Sequence, residues 1–329
     1  MSVFKHISLL FTLSLLISCS NVDTISMQIV ELEPAPQALS CATAFALNGD
    51  IYVFGGKLSD NSYNNHLYKY SVNNNQWSDL GQTPLQARVN PVAIVLNNKA
   101  YIGLGYNKKG IYNSEAYLKD FYQYDATTNQ WNRLADYPDN RTNDAVIFTL
   151  DGYIYAGLGF NGFTEQFYRY DPQQNLWSSA SEQTIKPFPL RCTSAVAVSS
   201  NNRAFVGTGY RKGSHNEWYE YQANTNNWLK RSSVPDKGRQ DAAAVASEKY
   251  AYLFGGWHYG DTLTTGFYFE DIMRYDINNN HWQRYQQMPC GRTINMVAAN
   301  VKGKVFFGLG EDPQEKPIKS FYKLIEADN

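Results

Sequence analysis

Short apolar segments with a large side chain at every second position recur along most of the chain, and turn residues separate them. The segments IYVFGG at residues 51–56 and LYKY at residues 67–70 are typical. A period of two indicates a strand that buries one face, and the clusters of Asn and Gly between the segments favour turns. The pattern therefore predicts an all-β chain built from short strands.

These strands form a unit that occurs six times between residues 27 and 325. Each unit contains a strand that ends in glycine, and these glycines are 47 to 54 residues apart: Gly56, Gly105, Gly159, Gly209, Gly256 and Gly310. A tyrosine-rich strand follows, and in five units a tryptophan opens the last strand: Trp77, Trp131, Trp177, Trp228 and Trp282. One four-stranded sheet cannot cover both of its own faces, whereas six sheets packed around a ring cover one another.

A glycine pair, a tyrosine strand and a tryptophan at a period near 50 residues resemble the kelch motif. The resemblance implies a single six-bladed kelch β-propeller over residues 27–329. No tryptophan strand follows Tyr322 in the sixth unit, and the segment 27–32 offers a substitute with Ile29 near the tryptophan position. We therefore expect an N-terminal strand to complete the last blade and close the ring.

The first 26 residues have a different character. Lys5 and His6 precede an apolar run over residues 7–17, which is too short to cross a bilayer because a span needs about 20 residues. This order is typical of an export signal, and LISC at residues 16–19 resembles the lipobox of bacterial lipoproteins. The resemblance implies a signal peptide over 1–18, a lipid on Cys19, a tether over 19–26 and an outer-membrane lipoprotein of the bacterial cell envelope. Simple secretion with cleavage near Cys19 is the alternative.

Charge and cysteine content exclude several kinds of partner. The 29 basic and 30 acidic residues give a net charge of -1, and no basic run indicates nucleic-acid binding. We expect a monomer that meets the membrane only through its lipid. Cys41, Cys192 and Cys290 cannot form a disulfide framework. Because the sequence has no Cys-x-x-Cys pair, we expect no metal site, and we also expect no cofactor.

Arginines precede the first strand of five units, and Ser40 takes the sixth place: Arg88, Arg141, Arg191, Arg239 and Arg292. In kelch propellers the first strand lines the central channel, so the resemblance implies that these arginines lie near one mouth of it. Five guanidiniums there would suit a carboxylate or phosphate. The structural alternative is that they pair with strand acids such as Asp144 and Asp241 or bond loop carbonyls.

The residue after each glycine should lie at the same mouth. Four of the six are aromatic and suit a sugar ring or an aromatic side chain: Tyr106, Phe160, Tyr210 and Trp257. Lys57 and Glu311 hold the other two places. We expect the arginine- and aromatic-lined mouth to bind an acidic sugar or an acidic protein segment. The preferred function is therefore that of a binding module and not that of an enzyme.

Two other functions stay open. The chain resembles the periplasmic sialic-acid mutarotases, which are six-bladed kelch propellers with an acid directly after the glycine of one blade. Glu311 alone occupies that place here, so the resemblance implies that Glu311 would be catalytic if the protein is a sugar mutarotase or epimerase. A scaffold that contacts other proteins through its rim is the third possibility.

Overall fold

The computed structural model describes residues 28–108, 116–140, 142–178, 185–260 and 265–325, and these residues form strands and turns without an α-helix. The expected signal peptide, the tether and Cys19 lie outside the described residues. Within the described ranges, no helix has the length and apolar character that a membrane span requires.

Six four-stranded antiparallel sheets make up the six blades. Blade 1 contains β2 (Ser40–Leu47), β3 (Asp50–Lys57), β4 (His66–Ser71) and β5 (Gln76–Gln82). Blade 2 contains β6 (Val92–Leu96), β7 (Lys99–Gly103), β8 (Phe121–Asp125) and β9 (Gln130–Arg133). Blade 3 contains β10 (Asn143–Leu150), β11 (Tyr153–Phe160), β12 (Phe167–Asp171) and β13 (Leu176–Trp177).

The second half repeats this order with one insertion. Blade 4 contains β14 (Val196–Ser200), β15 (Arg203–Gly207), β16 (Trp218–Gln222) and β17 (Asn227–Arg231). Blade 5 contains β18 (Ala243–Ala246), β19 (Tyr250–Phe254), β22 (Asp271–Asp276) and β23 (His281–Gln287), with a small hairpin of β20 (Trp257–His258) and β21 (Phe267–Tyr268) before its third strand. Blade 6 contains β24 (Val297–Val301), β25 (Lys304–Gly308), β26 (Phe321–Ile325) and β1 (Gln28–Glu31).

The N-terminal strand closes the ring, as the sequence predicts. Strand β1 pairs with β26, and Ile29 stands opposite Leu324. Trp77 stands opposite Tyr70 in the same way in blade 1, so Ile29 takes the place of the missing tryptophan. The all-β, six-bladed propeller with this closure is confirmed.

The asparagine turns and the tryptophans join each blade to the one before it. Asn175 adopts a left-handed backbone with φ of 51°, which asparagine tolerates better than most residues. Its side-chain oxygen accepts hydrogen bonds from the Tyr170 hydroxyl at 2.8 Å and from the Ala135 backbone amide at 2.9 Å. Trp177 Nε1 donates to the Ala135 carbonyl at 3.0 Å. Because Ala135 belongs to the preceding blade, one short motif satisfies buried polar groups on both sides of the junction.

The first strands of all six blades contact one another around a central channel. Alanine and valine side chains line most of this channel, which encloses about 440 Å³. At the second glycine of each pair the chain leaves the blade towards the mouth. Gly56 has φ of +99°, and a Cβ there would lie 2.8 Å from the Ser40 carbonyl, so a side chain would clash at this turn.

Candidate functional site

The six residues that follow the glycines occupy one equivalent position around the channel. Each pairs across the backbone with a residue that leads into a first strand, for example Lys57 with Ser40, Tyr210 with Thr193 and Glu311 with Ile294. Tyr106, Phe160 and Trp257 are placed in the same way. The structure therefore brings the four expected aromatics and Glu311 to one mouth of the propeller.

A second ring of six residues narrows the channel directly below this mouth, and we call it the throat. Its members are Cys41, Asn90, Asp144, Ser194, Asp241 and Asn295, and they surround a space of about 150 Å³. All six have a left-handed backbone with φ between 51° and 56°, which costs energy in residues other than glycine and is frequent at functional sites. Backbone amides link neighbouring members, as from Asp241 to the Ser194 carbonyl and from Asn295 to the Asp241 carbonyl.

The throat contains two carboxyl groups, Asp144 and Asp241, and the charge of Asp241 affects the pKa of Asp144. The pKa of Asp144 is raised to about 7, first by desolvation and then by the negative field of Asp241, while a hydrogen bond from Ser194 opposes both effects. Desolvation also raises the pKa of Asp241, against hydrogen bonds from Ser194 and Gln240. Because neighbouring buried carboxyls resist simultaneous ionisation, a proton is retained on this pair close to neutral pH.

Glu311 is the third carboxyl group of the site, and donors surround it. Lys57 Nζ lies 2.7 Å and the Ser40 hydroxyl 3.0 Å from Oε2, while the Asn295 amide lies 3.1 Å from Oε1. Glu311 as a whole residue is 6 % exposed. These donors, one of them the Lys57 ammonium group, engage both oxygens of the Glu311 carboxyl and fix its position.

Cys41 completes the throat without being reactive. Burial foremost, and then the fields of Glu311 and Asp144, raise the pKa of its thiol. The thiolate is the nucleophilic form of cysteine, so this thiol stays protonated and inert. Cys41, Cys192 and Cys290 are free thiols in the structure.

Aromatic rings form a continuous arc over the mouth in blades 3 to 5, and we call it the aromatic arc. Its members are Phe160, Phe163, Tyr210, Tyr259, Trp257 and Tyr268, and each ring centroid lies 5.0–6.2 Å from the next. The sequence analysis did not identify three of these, Phe163, Tyr259 and Tyr268, because none of them directly follows the glycine that ends a second strand. Phe160 is 39 % and Tyr259 is 44 % exposed. Such rings offer apolar surface to a ligand above the throat.

Of the four candidate arginines that the structure describes, two are buried away from the mouth, so the expected convergence of five guanidiniums is wrong. Arg88 and Arg239 are fully buried. Arg88 donates to both carboxylate oxygens of Asp120 at 2.6 and 2.7 Å, and Arg239 donates to Asp271 at 2.8 and 3.3 Å. The structural alternative holds for these two, although their partners are Asp120 and Asp271 and not the throat acids.

The other arginines occupy a different register. The backbone amide of a blade's second glycine donates a hydrogen bond to the carbonyl of a buried residue in the next blade. The accepting residues are Leu39, Arg88, Thr142, Arg239 and Thr293. Arg292 therefore lies one residue before the buried position, and Leu39 rather than Ser40 fills it in blade 1. Arg191 and Arg292 are exposed and lie near Glu165 and Glu270. Arg141 lies outside the described residues.

The electrostatic character of the site is thus the reverse of the expected one. Asp144 and Asp241 in the throat, and Glu311 bonded to the throat residue Asn295, give the site an acidic lining, and Lys57 is already paired with Glu311. Among the described residues, no group of three or more His, Cys, Asp or Glu side chains has an arrangement that could hold a metal ion.

The fold is a six-bladed β-propeller, and the candidate site is a pocket at one end of its central channel. The chain belongs to the family described as the KLHDC2/KLHL20/DRC7 Kelch-repeats domain, whose model matches residues 15–206 and 151–324. The expected membership in the kelch propellers is confirmed.

The curated relatives include kelch-like proteins and N-acetylneuraminate epimerases. Kelch-like protein 25 of Xenopus tropicalis is 26% identical over 274 residues, which are 82% of this chain and 44% of that protein. The N-acetylneuraminate epimerase of Yersinia enterocolitica is 23% identical over 225 residues, which are 66% of this chain and 50% of that protein. That of Escherichia coli O157:H7 is 25% identical over 242 residues, covering 71% and 57%. The chain thus spans about half the length of these curated relatives.

A solved structure agrees with the fold. The structure of YjhT superimposes with a TM-score of 0.74 at 18% identity, and the match covers 91% of this chain and 98% of that one. At this identity the likeness concerns the fold. The expected distant relation to the N-acetylneuraminate epimerases is confirmed, and what those proteins act on is considered only as a proposal below.

Proposed function

We propose that this protein binds a sugar at the propeller mouth. The aromatic arc carries the proposal, because sugar rings present apolar C–H faces that pack on aromatic side chains while their hydroxyls bond polar groups. Tyr210 and Tyr259, with ring centroids 5.0 Å apart, lie at the middle of the arc. The carboxyl and amide groups of the throat lie beneath it and accept hydrogen bonds from hydroxyls.

The acidic lining decides how an acidic sugar could bind. A carboxylate placed in the throat would meet Asp144, Asp241 and Glu311 and would be repelled. An acidic sugar therefore has to keep its carboxylate at the rim and direct its hydroxyls into the throat. Acidic protein segments fit less well, since several carboxylates would have to avoid this lining together.

Removal of one exposed ring from the arc tests the sugar site. We expect Tyr259→Ala to weaken sugar binding about fivefold, since an aromatic contact contributes on the order of 1 kcal/mol. Leu229→Ala is the control, because Leu229 is similarly exposed at 38 % but lies on the outer strand β17. A sugar array followed by calorimetry measures both. Equal affinity of the two variants would contradict a site at the mouth, and an array without any bound sugar would contradict sugar binding itself.

Catalysed interconversion of sugar anomers is the second candidate function. One observation favours it: the site contains Asp144, a carboxyl group whose pKa is raised to about 7, and a second carboxyl group, Glu311, that pairs with Lys57. The similarity to the N-acetylneuraminate epimerases supports it. Its test is argued in the Discussion.

We also propose that a lipid on Cys19 holds the propeller at the bacterial envelope, on the strength of the LISC sequence at residues 16–19. We expect the full-length protein to enter the detergent phase on Triton X-114 partitioning and Cys19→Ser to remain in the aqueous phase. Cys41→Ser, which changes a partly buried cysteine of the propeller, should partition like the natural protein. If Cys19→Ser still enters the detergent phase, the proposed anchor is wrong.

A further inference from the structure

Arg211 differs from the arginines that were expected at the mouth, because no ion pair engages its guanidinium among the described residues. Arg88, Arg239, Arg191 and Arg292 each have a carboxylate within 4.0 Å. Arg211 instead lies over the ring of Phe163, with its guanidinium carbon 6.0 Å from the ring centroid. A partly exposed guanidinium on an aromatic ring is free to take an anion from solution.

The position of Arg211 joins it to the aromatic arc. It directly follows Tyr210, and the Phe163 and Tyr210 centroids are 6.2 Å apart. The tight turn at this place, in which the Arg211 amide donates to the Gly213 carbonyl at 3.0 Å, holds the backbone at the rim. A sugar ring that packs on these two aromatics would therefore have the guanidinium beside it and the throat beneath it.

The throat and the rim of the site carry opposite charges. The throat contains Asp144 and Asp241 and adjoins Glu311, whereas the rim at this point is basic through Arg211 and the adjacent Lys212. An anionic group is repelled from the throat and attracted to the rim, so only one orientation of an acidic sugar satisfies both. A neutral sugar gains nothing from the rim charge.

We propose that Arg211 is a specificity-determining residue that binds the carboxylate of an acidic sugar whose ring packs on Phe163 and Tyr210. This inference rests on the proposed sugar binding and adds the ligand class and the residue that selects it. The planar guanidinium can donate two parallel hydrogen bonds to a carboxylate. Lys212 offers the same charge without that geometry and without a described ring contact.

The test compares two ligands and three proteins. Esterification of N-acetylneuraminate removes its negative charge and adds only a methyl group, and the affinities of acid and methyl ester are measured by calorimetry for the natural protein, Arg211→Gln and Lys212→Gln. We expect the natural protein to prefer the acid about tenfold, as charge-assisted hydrogen bonds allow. Arg211→Gln should lose this preference while its affinity for the ester stays the same, and Lys212→Gln should keep the preference. The preference should also decrease with added salt.

The outcomes separate the inference from the proposed function. If neither ligand binds the natural protein and an array finds no other sugar, sugar binding fails. If both ligands bind and Arg211→Gln changes neither affinity, sugar binding stands and the role of Arg211 is overturned. An equal loss of preference in Lys212→Gln would also overturn it, because general surface charge would then explain the selection. Melting temperatures of the variants show that each is folded.

Discussion

Replacing Arg88 with methionine should lower the free energy of unfolding by about 3–5 kcal/mol, the loss typical of removing one partner of a buried ion pair. Besides its two bonds to Asp120, Arg88 donates to the carbonyls of Gln86 at 2.8 Å and Leu104 at 3.0 Å. Methionine keeps an apolar stem but leaves these acceptors without their donor, and buried acceptors without partners are costly. Urea unfolding followed by tryptophan fluorescence measures the change.

Arg191→Met is the matched control for this experiment. The Arg191 side chain is 52% exposed and pairs with Glu165, and exposed pairs contribute about 0–1 kcal/mol. The double variant Arg88→Met/Asp120→Leu should recover part of the loss, since no unpaired carboxylate remains. If Arg88→Met is no less stable than Arg191→Met, the buried pair does not stabilise the blades. If Arg88→Met is stable but loses sugar affinity, Arg88 is a ligand residue after all.

The fold could be predicted because it depends on local patterns that repeat. Five blades share the same turn asparagine, tyrosine and tryptophan, so the incomplete sixth unit is recognisable from its own sequence. Ile29 could be matched to the tryptophan position although it is not aromatic, because its distance from the first strand is close to that of Trp77. Closure of the ring follows from that spacing and from the need to cover strand edges.

The arginines could not be placed because the decisive difference is a single residue. Arg88 and Arg239 occupy a buried position, whereas Arg191 and Arg292 stand one residue earlier, where the side chain reaches solvent. Only the hydrogen bond from the glycine of the preceding blade defines that position. The acids that neutralise Arg88 and Arg239 lie 32 residues further along the chain, so no local pattern reveals the pairs.

The sequence contains only a weak indication of the throat. Its six members each precede a small or apolar residue at the start of a first strand, as Asp144 precedes Ala145 and Asp241 precedes Ala242. They share a left-handed backbone but not a residue type, because Cys41 and Ser194 stand beside Asn and Asp. Their proximity arises only when the six blades close, and so does the pKa shift that makes Asp144 chemically interesting.

Anomer interconversion would use two carboxyl groups of the site in different protonation states. A base removes the proton from the anomeric hydroxyl, the bond between the anomeric carbon and the ring oxygen breaks, and an acid protonates that oxygen. The open-chain carbonyl then rotates, and ring closure reverses both proton transfers. Asp144, whose pKa is raised to about 7, suits the acid, and Glu311, which pairs with Lys57, suits the base. Carboxyls separated in this way by their surroundings are a recurrent acid–base arrangement.

Asp144→Asn and Glu311→Gln should each slow this interconversion by about 10²–10⁴-fold if the protein is a mutarotase, the range typical for loss of a general acid or base. Both variants keep the shape of the side chain, and asparagine tolerates the φ of 54° at residue 144. Because the raised pKa makes ionised Asp144 unfavourable in the folded state, stability is lost as the pH rises from about 4 towards 7. Asparagine removes this loss, so unfolding cannot explain a slower rate at neutral pH. The rate of the natural protein should fall above pH 7 as Asp144 ionises.

Exchange between the anomers of N-acetylneuraminate, followed by proton NMR with and without protein, measures the rate. Asp151→Asn serves as the charge-matched control, since Asp151 is exposed in the turn between β10 and β11 outside the throat. Sugar binding by the natural protein without faster exchange would leave a binding module and remove the catalytic candidate. Faster exchange that survives Glu311→Gln but not Asp144→Asn would assign the base to Asp241, whose carboxyl shares the Ser194 hydroxyl with Asp144. Exchange that survives both changes would place the chemistry away from the throat and contradict the assignment.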